Sequence, residues 1–437
     1  MATPQHKHKS VRLLAWEGLQ RWSRGGIFAE TIVSRAAQQH NLSHADRALL
    51  QAIVYDTIRQ LSMLDHLRLK LRSGELDEPL RWLVLMGLCQ LFVMHQAEHA
   101  AVCETVELAP NRVRGVVNGI LRNAIRRRAE FEKLLPTLRP AVRYSCPRWL
   151  VDRWMQEFGE ETACAMLEWN IQQSPLYARV APANTPSSLP ADQEPLPDIP
   201  GIPHSITEDA LPAEWEPVPD IPGWCRVNGS VPQELLQEGC AYMADPSTRY
   251  AVELLAPQPG ESVLDACAAP GGKSVAMLQA VHGNLNLLAT DAQAHRLPVL
   301  RQNLFLATGH SLPVEVFDWT QPCPEEWRGA FDAVLLDVPC SNTGVLQRRV
   351  DARWRLSAEE ITRLAALQSQ ILENACAAVR PGGRLVYSTC SIEKEEDADV
   401  VQSFLSSHPD FTLEHEHLAL PHIVHADGAY AARLQRK

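Results

Sequence analysis

The chain has 437 residues, of which 46% are hydrophobic and 21% are charged, and its formal net charge is −11. This length exceeds what one hydrophobic core normally supports, so two or three domains are expected, and the composition disfavours global disorder. The longest apolar stretch, residues 82–94, is too short to span a bilayer. The eleven cysteines form no CxxC pair, which disfavours zinc knuckles and a disulfide framework. We therefore expect a cytoplasmic protein with no metal and no membrane partner.

The net charge hides an asymmetry along the chain. Residues 1–143 hold 21 Lys and Arg against 13 Asp and Glu, whereas the remaining 294 residues hold 20 against 39. A basic module therefore precedes an acidic one, which favours a polyanion as the partner of the first part. Residues 181–225 contain 11 prolines, eight acidic residues and no Lys or Arg, a composition typical of a linker or a loop-rich module.

The first 140 residues have the periodicity of helices. Within residues 45–64, apolar side chains recur every three or four positions, as on one face of a helix. Ser43 and Asp46 are placed to cap the start of that helix. A second apolar stripe begins at Leu80 and predicts another helix.

A third helix is predicted over residues 112–128, and it carries most of the arginines of this region. Arg122 lies in its middle, and its end is formed by the cluster Arg126, Arg127 and Arg128. One arginine in a last turn is explained by the helix dipole. Three in a row make the face a candidate for contacting phosphates.

Beyond residue 233, short apolar runs alternate with helical segments, the pattern of a parallel α/β sheet. The predicted strands are residues 262–265, 287–291, 314–317, 333–337 and 384–389. Four of them end in, or are followed at once by, an aspartate: Asp265, Asp291, Asp318 and Asp337. Because such sheets bind ligands at the carboxyl ends of their strands, these carboxylates mark a candidate site.

A glycine loop follows the first of these strands. Its sequence, DACAAPGGK over residues 265–273, lets a ligand approach the backbone and the free N–H groups of the following helix. The loop matches neither a Walker A motif nor GxGxxG. Together with Asp291, which can accept hydrogen bonds from ribose hydroxyls, it favours a cofactor of the nucleoside type over an ordinary turn.

Two cysteines lie at predicted strand ends in polar surroundings. Cys340 belongs to DVPCSNTG at residues 337–344, and Cys390 belongs to STCS at residues 388–391. A cysteine beside a strand is usually an inert apolar residue. A thiol with a positive neighbour can instead act as a nucleophile, and Lys273 supplies that charge if the fold brings the three together.

These three motifs resemble motifs I, IV and VI of the RNA cytosine-5 methyltransferases, in the same order over residues 236–437. The stretches RWLVLMGLCQLFV, HAAVCETVELA and VVNGILRNAIRRR are similar to the NusB-like RNA-binding domain of the Sun/RsmB branch, and SCPRWL is similar to its linker motif. The resemblance implies a multidomain chain: an all-α NusB-like domain at 1–140, a linker and small α+β subdomain at 141–232, and a Rossmann-like α/β class I methyltransferase domain at 233–437.

The resemblance also implies the chemistry: S-adenosyl-L-methionine as cofactor, and methylation of C5 of a cytidine in small-subunit (16S) ribosomal RNA. Cys390 would form a covalent bond to C6, Cys340 would assist release, and Asp337 would bind the cytosine near N3 or N4 and also face the cofactor. Asp291 would bind the cofactor's ribose, and Asp318 would lie beside its adenine. The residues implied at the methionine end are Cys267, Ala268, Ala269, Pro270, Gly271, Gly272 and Lys273, the last also assigned to catalysis.

Three departures from the family pattern bear on the RNA substrate. They are RRVD at 348–351 in place of Arg-His-Pro-Asp, Ala244 in place of glutamine, and DGAY at 427–430 in place of Asp-Gly-Phe-Phe. Neither active cysteine is affected. Two alternatives stay open: the same reaction on transfer RNA, and an RNA-binding assembly factor with secondary catalysis. A DNA methyltransferase is disfavoured, because it would have no need of the cysteine in STCS. A monomer is expected.

Overall fold

The computed structural model describes residues 10–180, 211–229 and 231–437. Most of the proline-rich acidic region predicted as a linker therefore lies outside the described residues. The chain divides into two compact units. One comprises Met1–Gln173 with Leu346–Arg355, and the other comprises Ser174–Val345 with Leu356–Lys437.

The first unit is built from helices. Up to residue 173 they are α1 Val11–Ser23, α2 Ala29–Gln39, α3 His44–Arg59, α4 Leu61–Leu71, α5 Glu78–Phe92, α6 Glu98–Leu108, α7 Arg114–Arg126, α8 Arg128–Leu134, α9 Pro140–Arg143, α10 Arg148–Phe158 and α11 Glu160–Asn170. Helix α5 is buried on all sides between its neighbours, which explains why its sequence is apolar all round. Gln90 is the polar exception: it donates to Thr105 Oγ1 (3.1 Å) and accepts from Arg12 Nε (2.6 Å).

The first predicted helix is in fact two helices. Helix α3 ends at Arg59 and α4 begins at Leu61, because the backbone of Gln60 (φ −107°, ψ 20°) leaves the helical region. Both helices bury apolar side chains in the same core, so the periodicity does not reveal the break. The predicted cap is confirmed, since Ser43 Oγ accepts a hydrogen bond from the backbone N–H of Asp46 (3.1 Å).

The third predicted helix also stops early. Helix α7 ends at Arg126, Arg127 is a connecting residue, and α8 begins at Arg128. The three arginines are therefore not one last turn, as expected from the sequence, but straddle a junction between two helices.

The segment Leu346–Arg355, which follows the cysteine motif in sequence, packs into the first unit. Asp351 accepts a hydrogen bond from the backbone N–H of Ala29 (2.8 Å) at the start of α2. The buried Arg353 donates to the carbonyl of Asn170 (3.0 Å). The departure RRVD thus lies in a segment that belongs structurally to the helical unit.

The second unit contains two sheets. Its strands are β1 Leu176–Val180, β2 Trp215–Pro217, β3 Trp224–Val227, β4 Ala241–Met243, β5 Ser262–Asp265, β6 Asn286–Asp291, β7 Val314–Val316, β8 Phe331–Asp337, β9 Val379–Thr389, β10 Phe411–Ala419 and β11 Ala429–Arg436. Its helices are α12 Gln233–Gln237, α13 Arg249–Leu255, α14 Gly272–Ala280, α15 Leu297–Thr308, α17 Ala358–Ala375, α18 Ala398–Ser407 and α19 Pro421–Val424; α16, Ala352–Arg355, belongs to the first unit.

The larger sheet has seven strands in the order β10-β11-β9-β8-β5-β6-β7. The five strands from β9 to β7 are parallel, and all five predicted strands are among them. Strand β9 begins five residues earlier than predicted, because Pro381, Gly382 and Gly383 are typical of a turn. Strands β10 and β11 add an antiparallel edge that the sequence did not predict. Every residue of β10 except its first and last is exposed, so this strand has no buried apolar face to reveal it in the sequence.

The smaller sheet is antiparallel, in the order β2-β3-β1-β4. One face forms an apolar core that includes Ala178, Val180 and Trp215. Its edge strand β4 carries Tyr242, whose ring lies against the glycine loop after β5. In the part of the chain that the structure describes, no helix is both long and apolar enough to cross a membrane.

Candidate active site

The strand ends that carry the predicted carboxylates meet at one edge of the seven-stranded sheet. Strands β5, β6 and β8 are parallel neighbours, with Asp265 in register with Ala289 and Leu335. Asp337 ends β8 and pairs in register with Ser388 of β9. The sequence motifs after these strands therefore converge at one edge, as the α/β pattern predicted.

The glycine loop between β5 and α14 is tightly packed. Gly271 has φ +107°, where L side chains are strained, and a Cβ there would lie 2.9 Å from Leu300 Cδ1. A Cβ on Gly272 would lie 3.2 Å from the Tyr242 ring. Gly272 begins α14, so N–H groups without an intrahelical partner lie at this point, as an anionic or polar ligand requires.

Asp265 is buried at the end of β5. Burial raises its pKa from 3.8 to about 7, a hydrogen bond from Ser274 Oγ (2.5 Å) opposes this rise, and the neighbouring Asp337 carboxylate adds to it. Its other carboxylate oxygen, Oδ1, has no hydrogen-bond partner. The sequence identified Asp265 as a strand-end carboxylate but gave no sign that its pKa would be raised so far.

Asp291 is buried and bound to the glycine loop. It accepts from the backbone N–H groups of Ala269 (3.3 Å) and Gln293 (2.9 Å) and pairs with Arg296 (3.2 Å). Arg296 also donates to the carbonyl of Ala269, so this arginine links the ends of β5 and β6. Sequence reasoning missed Arg296, because it lies in none of the motifs and nothing in the neighbouring sequence distinguishes it from other basic residues. Asp318 is exposed and accepts from the backbone N–H of Thr320 (2.9 Å).

Lys273 and Asp337 form an ion pair of 2.6 Å in the site. Burial alone would lower the pKa of Lys273, but the Asp337 carboxylate, with smaller contributions from Cys390 and Asp265, raises it above its ordinary value. Lys273 is therefore a fixed cation at neutral pH, and it lies close enough to Cys390 to interact with its charge. This is the proximity that the sequence left conditional on the fold.

The two motif cysteines lie side by side, with 3.0 Å between the Sγ atoms of Cys340 and Cys390. The hydrogen bond to Cys390, followed by burial, raises the pKa of the Cys340 thiol well above its usual range. Cys340 therefore stays protonated at neutral pH. Cys390 Sγ also lies 3.4 Å from Asn342 Oδ1. All eleven cysteines are free thiols. Cys267 in the glycine loop is half-buried, and this desolvation, together with the nearby carboxylates, raises its pKa as well.

The loop that carries Cys340 is held against the Cys390 loop through backbone contacts. Gly344 N donates to the carbonyl of Cys390 (3.0 Å), and Gly428 N donates to the carbonyl of Gly344 (2.8 Å). A Cβ on Gly344 would lie 2.4 Å from Gly428 O, so only glycine fits there. Asn342 has φ +62° and donates from Nδ2 to the carbonyl of Cys340 (2.8 Å).

A buried carboxylate that sequence reasoning missed, Glu396, lies behind both cysteine loops. It accepts hydrogen bonds from Ser341 N (2.9 Å) and from Ser391 Oγ (2.7 Å). Its signal in the sequence is hidden, because EKEED at residues 393–397 is typical of an exposed acidic run. Among the described residues no cluster of three or more His, Cys, Asp or Glu could hold a metal ion.

The arginines predicted to contact RNA lie in the first unit and differ in their surroundings. Arg127 pairs with Glu130 and donates to the carbonyl of Lys70 (2.8 Å). Arg128 pairs with Glu98 (3.3 Å) and lies over the ring of Phe92. Arg122 and Arg126 are exposed. Contact with RNA stays a prediction for all four arginines, and the structure leaves Arg122 and Arg126 as the more accessible pair.

A mostly parallel sheet with a glycine loop after its first strand and carboxylates at its carboxyl edge defines a Rossmann-like α/β architecture. A family model described as 16S rRNA methyltransferase RsmB/F matches residues 252–435, and a NusB family model matches residues 9–126. Ribosomal RNA small subunit methyltransferase B of Yersinia pseudotuberculosis and that of Yersinia pestis are each 34% identical to the chain over 415 residues, 91% of this chain and 92% of theirs. The chain belongs to the RsmB/F family of 16S rRNA methyltransferases.

Solved structures agree with this fold. PH0851 covers 100% of the chain and 100% of its own length, with a TM-score of 0.72 and 22% identity. NSun6 from Pyrococcus horikoshii, crystallised with SFG, covers 66% of this chain and 98% of its own, with a TM-score of 0.51 and 19% identity. The predicted fold class and the family resemblance are confirmed.

Proposed function

We propose that the protein transfers a methyl group from S-adenosylmethionine to C5 of a cytidine in small-subunit ribosomal RNA, with Cys390 as nucleophile. The observation that carries the proposal is the 3.0 Å between the Sγ atoms of Cys390 and Cys340 at the carboxyl edge of the sheet. Membership of the RsmB/F family and the names of the Yersinia relatives support ribosomal RNA as the substrate.

The first step uses Cys390. C5 of cytosine is a poor nucleophile, and addition of a thiolate to C6 places electron density on C5. The pKa of Cys340 is raised well above its usual range, so this thiol can donate its proton in a hydrogen bond to the sulfur of Cys390, 3.0 Å away. Lys273 adds a positive charge near Cys390, and Asp337 holds that lysine in place.

The cofactor site is formed by the residues around the glycine loop. S-adenosylmethionine supplies an electrophilic methyl group when it is bound. Residues 267–273 fit its methionine end, because the start of α14 presents N–H groups that have no intrahelical partner. The proposal assigns the ribose to Asp291, the adenine to Asp318 and contact with both cofactor and base to Asp337.

Release uses Cys340. The hydrogen bond to Cys390 is the largest cause that holds the Cys340 thiol in its protonated form. Once the sulfur of Cys390 is bonded to C6, it no longer forms that hydrogen bond, so Cys340 can release its proton to solvent and act as a base in its thiolate form. Cys340 removes the proton from C5, the C6–S bond breaks, and Cys390 leaves as a thiolate with the methylated base intact.

RNA binding is assigned to the basic helical part of the chain, within the division 1–140, 141–232 and 233–437 that the sequence predicted. The exposed Arg122 and Arg126 would contact phosphates. A cytosine must leave its stack to reach the sulfurs, and enzymes that modify bases offset this cost with contacts to the extruded base.

The proposal is tested by incubating the full chain with labelled S-adenosylmethionine and either small-subunit ribosomal RNA or transfer RNA. Nucleoside analysis should find the label as 5-methylcytosine in the ribosomal RNA. Cys390→Ala should abolish turnover. Label confined to transfer RNA, or placed on another atom, would contradict the proposed substrate or the proposed reaction respectively.

A further inference from the structure

We propose that Glu396 is a positioning residue that sets the separation of the two active sulfurs by holding the residue next to each of them. Cys340 is followed by Ser341, and Cys390 is followed by Ser391. The buried carboxylate of Glu396 accepts hydrogen bonds from both of these serines, and so contacts both cysteine loops. The catalytic consequence rests on the proposed function, whereas the geometric consequence does not.

Each carboxylate oxygen of Glu396 accepts two hydrogen bonds. Oε1 accepts from the backbone N–H of Ser341 (2.9 Å) and from Gln368 Nε2 (2.9 Å). Oε2 accepts from Ser391 Oγ (2.7 Å) and from Ser341 Oγ. A carboxylate is the side chain that presents two acceptor oxygens without a donor, so this set of four donors matches it.

The backbone of Glu396 is also held by hydrogen bonds, which restricts where its carboxylate can lie. Its N–H donates to the carbonyl of Glu393 (2.9 Å), and its own carbonyl accepts from the hydroxyl of Tyr387 on β9. Gln368 of α17 donates to the carbonyl of Pro339 (2.9 Å) in addition to Glu396. The loop before Cys340 is thus tied to the same network.

A role in folding alone would not require this arrangement. A buried charge is costly, and well-packed apolar residues often replace buried ionic groups without loss of stability. The network instead joins the residues that follow the two cysteines, and the sulfurs that it positions are 3.0 Å apart. Catalysis through two groups at one base depends on such separations, since a misplacement of about 1 Å can cost about 100-fold in rate.

Two substitutions grade the effect. Glu396→Ala removes all four acceptor positions, and we expect kcat to fall about 100-fold with little change in the KM for the cofactor. Glu396→Gln keeps one acceptor oxygen for the backbone N–H and Gln368, while its amide nitrogen can keep contact with the serines only if their hydroxyls reverse. We therefore expect an intermediate loss, on the order of tenfold. The matched control is Asp399→Asn, which makes the same kind of change at an exposed residue of the first turn of α18.

A second readout reports the sulfur separation without any catalysis. Mild oxidation with diamide converts the Cys340 and Cys390 thiols to one disulfide, and mass spectrometry of the linked peptides follows its rate. We expect Glu396→Ala to slow this reaction on the order of tenfold, because the loops are no longer held together. Asp399→Asn should match the wild type, and Cys340→Ser marks the background from the other thiols.

A folded Glu396→Ala variant with wild-type kcat and a wild-type rate of disulfide formation would overturn the proposal. If that variant does not fold, Glu396→Gln and Ser391→Ala decide, since each removes part of the network; wild-type behaviour of both in the two assays would also overturn it. If the wild type methylates no RNA, the proposed function fails, and the disulfide rates still test the role of Glu396.

Discussion

Asp265 offers a sharp test of the electrostatics at the sheet edge. It lies buried at the end of β5, with a hydrogen bond from Ser274 and with Asp337 nearby, and its pKa is raised from 3.8 to about 7. Asp265→Asn keeps the shape of the side chain but removes its ionisation. The variant should therefore become more stable relative to the wild type as the pH rises.

The sign and size follow from proton binding. Between about pH 4 and pH 7 the folded protein keeps a proton on Asp265 that the unfolded chain releases, so the free energy of unfolding falls as the pH rises through this window and is level above it. A pKa that rises from 3.8 to about 7 corresponds to about 4 kcal/mol, of which about 3 kcal/mol falls between pH 5 and pH 8.

The measurement is urea denaturation of both proteins without cofactor at several pH values from 5 to 8. The quantity of interest is the difference in the free energy of unfolding between variant and wild type, because other titrating groups cancel in it. This difference should move in favour of Asp265→Asn by about 3 kcal/mol across the range. A difference that stays constant, or that moves in favour of the wild type, would refute the assignment of a raised pKa to Asp265.

Three further predictions concern the ion pair, the cysteine loop and the RNA surface. Lys273→Met should lower kcat about 100- to 1,000-fold while RNA affinity stays unchanged, and an unchanged kcat in methyl-transfer assays would remove the lysine from the chemistry. Gly344→Ala should destabilise the protein by about 2–3 kcal/mol in urea titrations, since its Cβ has no room; wild-type stability would count against the close backbone approach. Replacing Arg122 and Arg126 with alanine should make the slope of log K for RNA binding against log salt concentration less steep, by about 0.7 for each phosphate that is no longer neutralised. Arg127→Ala should leave this slope unchanged, and equal effects of the two changes would argue against the exposed pair as the RNA contact.

The parallel sheet and its motif loops could be predicted from the sequence because each depends on local signals. Apolar runs bounded by glycine or aspartate predicted the strands, and the loops after parallel strands must share one edge. Cys340 and Cys390 were therefore expected at this edge, and the fold brings their Sγ atoms to 3.0 Å from each other.

Other features depend on contacts between residues far apart in the sequence. Glu396 lies in an acidic run that is typical of solvent, and only the fold brings it to Ser341, 55 positions away. The partners of Arg128, Glu98 and the Phe92 ring, are likewise 30 or more residues distant. No pattern in the sequence distinguishes such a buried or paired charge from an exposed one.

The central claim, that Cys390 attacks the base and Cys340 releases it, is tested most directly with the Cys340→Ala variant. This variant is incubated with small-subunit ribosomal RNA and S-adenosylmethionine, and any covalent protein–RNA adduct is isolated under denaturing conditions and mapped by mass spectrometry. We expect an accumulated adduct in which Cys390 is bonded to a methylated cytosine. An adduct through a different residue, or normal multiple turnover with no adduct, would contradict it.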